Sequence, residues 1–135
     1  MRKSFLSVLA VLALVVTPTH ALDLPPDVKT VSNQEAVAIF VNRELTLTIY
    51  DTANGKKVGG GTMHHRADGV KVLNITFKGK KISRNLKWEL SNGIMCVESL
   101  EFGQSICGTN GQLYKKGNQC YISNDGYAVN STFEC

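Results

Sequence analysis

The chain has 135 residues, 15 basic and 11 acidic side chains and a formal net charge of +4. Arg2 and Lys3 supply two of those positive charges, so the rest of the chain is close to neutral and offers no whole-chain case for binding nucleic acid or an acidic membrane surface. No nucleophile elbow, phosphate loop or helical zinc-protease motif occurs, and carboxylates stand singly, so the sequence points to no enzyme and to no cofactor.

The chain opens with the charged pair Arg2 and Lys3, the apolar run Phe5 to Val16 and the small-residue stop Thr19-His20-Ala21. This three-part layout is that of a secretory signal peptide, residues 1–21, with cleavage expected before Leu22. The apolar run is well short of the roughly 20 residues that span a bilayer. The expected mature chain therefore has no transmembrane span and is periplasmic or secreted. Residues 22–135 are enough for one domain and too few for two separate cores.

Leu22 to Thr30, with Pro25 and Pro26 and no apolar period, reads as an extended arm preceding one domain over 31–135. A short helix is predicted over Asn33 to Val41. Ser32 is its N-cap with Glu35 three positions on, Val31 and Ala36 form a hydrophobic staple, and Asn42 is a left-handed stop. From Glu44 the apolar period changes to two. Glu44 to Tyr50, Lys57 to His65, Val70 to Phe77, Ile82 to Leu90, Ile94 to Glu98, Gln112 to Lys115, Gln119 to Ser123 and Tyr127 to Phe133 read as strands. Leu86, Trp88 and Leu90 are expected to share a buried face, with Trp88 in the core rather than stacking on a ligand. Turn signals such as Asp68-Gly69, Lys78-Gly79, Asn92-Gly93 and Asp125-Gly126 separate the strands.

About eight strands and one helix imply a mainly β fold. The expected form is a small antiparallel meander closing into a lipocalin-like barrel, with a sandwich as the alternative. The triplet Gly59-Gly60-Gly61 calls for a bulge, a bend or the close approach of another backbone.

Cys96, Cys107, Cys120 and Cys135 are even in number and contain no Cys-x-x-Cys pair, which favours two disulfides over structural zinc. Pairing of sequence neighbours is the simplest of three possibilities. Against Cys120 with Cys135, a tight hairpin about Asn124-Asp125-Gly126 would set Cys120 opposite Asn130, leaving Cys135 roughly 17 Å further along. The connectivity stays open at this level.

Met63, His64 and His65 are the nearest approach to a metal cluster and include ligands copper accepts, but alternation on a strand lets only Met63 and His65 share a face. The simpler expectation is a pair of partly exposed histidines. Six basic residues and no acidic one lie between Val70 and Trp88; Lys78, Lys80, Lys81, Arg84 and Lys87 are the candidate contacts for an acidic protein or the anionic cell envelope, with Lys71 the sixth. Lysines guarding a sheet edge are the alternative.

The helix Ser32 to Val41, the strand beginning at Leu45, the segment His65-Arg66-Ala67-Asp68-Gly69, the strand Lys87-Trp88-Glu89-Leu90 and Met95-Cys96 followed by Cys107 resemble, over about residues 32–107, small exported alphaproteobacterial domains of unknown function. That resemblance implies export and supplies no catalytic residue. The expected function is a non-enzymatic binding module with a protein or envelope partner. One alternative is an inhibitor or immunity protein that plugs a lysozyme, amidase or protease with the loop Phe102 to Gly111. Another is a carrier of metal or of a small apolar ligand. Neither the partner nor the oligomeric state is written in the sequence.

Overall fold

The computed structural model describes residues 20–100 and 103–135. Residues 1–19 of the expected leader and Phe102 of the expected plug loop lie outside the described residues. Among the described residues, no helix is long and apolar enough to cross a membrane.

The chain forms β1 (Lys29–Thr30), α1 (Asn33–Phe40), β2 (Glu44–Tyr50), β3 (Lys57–His65), β4 (Val70–Phe77), β5 (Lys80–Ser91), β6 (Ile94–Glu98), β7 (Ser105–Cys107), β8 (Leu113–Lys116), β9 (Gln119–Ile122) and β10 (Ser131–Glu134). All ten strands join one antiparallel sheet in the order β1-β8-β9-β10-β2-β3-β4-β5-β6-β7. The fold is therefore mainly β, and the sheet curls into a half-barrel with α1 against its concave face. Its two edges, β1 and β7, are two and three residues long, so little unpaired backbone is left to template aggregation.

The local signals explain the elements. Ser32 Oγ accepts from Glu35 N–H at 3.1 Å, and the staple residues Val31 and Ala36 are both in the core. Asn42 has φ 57°, and its N–H donates to His65 O at 2.7 Å, tying the helix end to the end of β3. Lys78-Gly79 and Asn92-Gly93 carry positive φ at both positions, the turn geometry that matches the twist of two-residue hairpins. The glycine triplet permits close backbone approach. A Cβ at Gly59 or Gly61 would run into the carbonyl oxygens of Thr76 and Asn74, and one at Gly60 would lie 2.6 Å from Leu47 O. The sheet bends most easily where no side chain resists it.

Alternation aims Leu45 and Leu47 of β2, Met63 of β3, Leu73 of β4, Leu113 of β8 and Phe133 of β10 inward, and they pack with Val31, Ala36 and Ile39 into one core. Trp88 is buried as expected, its indole N–H donating to Arg66 O at 2.9 Å. Leu90 corrects the expected face: it is 50% exposed. β4 begins at Val70, opposite Lys87, so the last residues of β5 have only β6 beside them and project past the core.

One further strand is shorter than the sequence pattern suggests. Tyr127 to Phe133 becomes β10 only from Ser131, because Asp125 Oδ1 captures the N–H groups of Tyr127 and Ala128 at 2.8 and 2.9 Å and holds a wide loop. Residues 127–129 pair instead with the N-terminal arm, through Leu24 N–H to Tyr127 O and Val129 N–H to Leu22 O. The wide loop also resolves the cysteine question. It sets Cys120 opposite Phe133, so Cys135 lies two residues on and the Cys120–Cys135 bond forms with 5.7 Å between Cα atoms. Cys96 and Cys107 are direct cross-strand partners and form the second disulfide.

Candidate ligand site

Because the sheet closes only halfway, α1 and the β7–β8 connection roof its concave face incompletely. A cavity of about 350 Å³ remains between them, within the range of small-molecule sites. Ala36 and Phe40 of α1, Met63 of β3, Leu86 of β5 and Met95 and Val97 of β6 line it. Leu100 and Ile106, 46% and 54% exposed, form an apolar rim. The roof is fixed by Asn33 Oδ1, which accepts from Thr109 N–H at 2.9 Å, and by Gly108 N–H donating to Met95 O at 2.8 Å.

Polar side chains also line the cavity, among them two neighbours on the sheet. His65 and Lys71 are opposite partners on β3 and β4, and both line the cavity. The His65 ring lies 5.4 Å from the Phe40 ring and 5.9 Å, edge-on, from Trp88, leaving the residue 3% exposed. This corrects the expectation of a partly exposed histidine: the end of α1 and the indole, distant in sequence, cover it. Its Nδ1 is buried with no hydrogen-bond partner among the described residues. Burial first, then the charges of Lys71 and His64, push the imidazole down to about 3, so the ring is neutral at physiological pH. Burial alone pushes the Lys71 ammonium down to about 8, so it is still mainly charged at neutral pH.

The residues singled out from sequence distribute as follows. Met63 and His65 share the concave face, His64 points the other way, and among the described residues no three His, Cys, Asp or Glu side chains gather as a metal would require. Lys78, Lys80, Lys81, Arg84 and Lys87 are all exposed along the β4–β5 hairpin, with Lys78 Nζ 5.4 Å from the Phe77 ring centre. Alternation splits them, Lys81 and Lys87 facing away from Lys80 and Arg84, so only the hairpin tip concentrates charge. Of the expected plug loop, Ser105–Cys107 pair with β6, Gly108 bonds to Met95 of β6, and Thr109 is bonded to Asn33 at the start of α1.

Lys71 is the residue whose place sequence reasoning missed. Counted among six cations it looks like surface charge, yet its alternation with Leu73 and Ile75 already sets it on the inward face. No family model, curated protein or solved structure matches this chain.

Proposed function

We propose that the protein is a non-enzymatic binding module that works in an oxidising compartment, periplasmic or secreted, and holds a small, largely apolar ligand on its concave face. The observation that carries this reading is the cavity itself: an apolar wall with an exposed apolar rim, lined also by His65, whose buried Nδ1 has no hydrogen-bond partner among the described residues, and by Lys71, which holds no ion pair among them. The leader-like N-terminal sequence and the two disulfides support export. Titrating oxidised protein with N-phenyl-1-naphthylamine, a neutral fluorescent apolar probe, tests it. Saturable one-to-one binding, weakened by Ile106→Glu at the rim, is the expected result. A folded, oxidised protein that does not take up the probe sinks the reading.

A second reading rests on the basic hairpin. Its tip presents Lys78, Lys80 and Lys81, none of them in an ion pair among the described residues, beside the partly exposed Phe77. Such a tip suits an acidic protein or envelope component, whose recovery from extract by the oxidised protein would fall with rising salt.

A further inference from the structure

Of the polar side chains that line the cavity, two that face each other across the β3–β4 ladder form a corner mismatched to its apolar surroundings. Lys71 carries a charge against a wall of Met63, Leu86 and Val97, and it holds no ion pair among the described residues. Glu98, the one acid lining the cavity, has its Oε2 occupied by the backbone N–H of Lys87 at 3.0 Å. His65, directly across the ladder from Lys71, has a buried Nδ1 with no hydrogen-bond partner among the described residues. An uncompensated cation and an unsatisfied nitrogen each cost stability, and the cation, which lines the cavity, defines a complementary group: one negative charge on an apolar body. A neutral ligand would leave the ammonium unpaired, and a cationic one would be repelled by it. Since His65 is held neutral, the corner offers a single positive charge, which matches a monoanion better than a phosphate carrying close to two.

Building on the reading of the cavity as a ligand site, we propose that it takes a monocarboxylate amphiphile of the fatty-acid kind. The carboxylate pairs with Lys71 Nζ beside the His65 ring. The chain lies along Met63, Leu86 and Val97 and leaves past Leu100 and Ile106.

Calorimetric titration of oxidised protein, stripped of lipid, with decanoate and with 1-decanol separates the possibilities. Decanoate should bind one-to-one and about tenfold or more tightly than the alcohol, the factor expected of one charge-assisted contact. Lys71→Met should erase that preference while leaving decanol binding intact, and Lys71→Arg should restore part of it. Equal affinity for acid and alcohol, or a preference that survives Lys71→Met, overturns the carboxylate assignment and leaves the apolar site standing. If neither compound binds, the site and the assignment fall together.

Discussion

The two halves of the strand sequence, the central β2–β5 and the flanking β6–β10, solve the same stability problem by different means. From β2 to β5 the strands have 7 to 12 residues, their registers run with one shift, at Ile49/Tyr50, and their inward faces supply Leu45, Leu47, Met63 and Leu73 to the core. From β6 to β10 the strands have 3 to 5 residues, and both disulfides lie there. A short strand buries too little surface to offset the entropy of ordering it, so covalent closure takes over where length runs out. The long half also contains the two costly polar residues, His65 and Lys71. Acid should therefore attack one half and reductant the other.

The largest effect is expected from acid. The folded-state pKa of His65, about 3, lies below its unfolded value of 6.5, so its contribution to stability is complete above pH 6.5 and is lost as pH falls toward 3. The loss is at most about 5 kcal/mol from this group. Hydrogen bonds also hold the carboxyls of Asp68 and Asp125 below the usual range, so their contributions fade at lower pH still. Urea denaturation at pH 7, 5.5 and 4 should show a steep decline that His65→Phe flattens. An unchanged slope in that variant would remove His65 as the acid-sensitive group.

Next come the staples. Replacing Cys120 and Cys135 with serine should cost about 3–4 kcal/mol, because the bond closes the longer loop and Cys120 is fully buried in the core. The same change at Cys96 and Cys107, whose second partner is exposed, should cost about 2–3 kcal/mol. In hydrogen exchange, loss of protection should stay within β6 to β10. Deprotection that spreads evenly into β3 and β4 would erase the distinction between the halves.

A smaller effect of opposite sign is expected at Lys71. Its folded pKa of about 8 lies below 10.5, so the full cost of its burial is present at pH 7 and disappears only as pH rises past both values. Lys71→Met should raise stability by about 1–3 kcal/mol at neutral pH. A drop in melting temperature would mean that the ammonium has a stabilising partner.

The smallest effect on stability belongs to the hairpin. Exchanging Lys78, Lys80 and Lys81 for glutamate should change unfolding by less than about 0.5 kcal/mol, since exposed side chains are being swapped. Partner recovery should lose its salt dependence in the same variant, and recovery unaffected by either change would eliminate the hairpin as a docking surface.

Much of the scaffold was readable in advance, because it depends on neighbours in sequence. Ser32 caps α1, β2 and β4 begin and end where their alternation does, and the glycine turns set the hairpins. Reading failed where a side chain or a distant segment outbid the local pattern. Asp125 drew Tyr127 and Ala128 out of a regular strand, and β5 outran β4, exposing Leu90. The candidate site was less legible than the fold. Met63 and His65 were singled out for metal and Lys71 for surface charge, and no local signal joined them into one cavity.

Sequence alone determined the period-two strands, the turns between them and the helix cap, since those rest on backbone preferences and hydrogen bonds within a few residues. Tertiary structure decided which charges are buried. Only when α1 lies over the concave sheet, with Phe40 and Trp88 on either side of His65 and β4 registered against β3, does the dielectric around His65 and Lys71 fall enough to change what they can do.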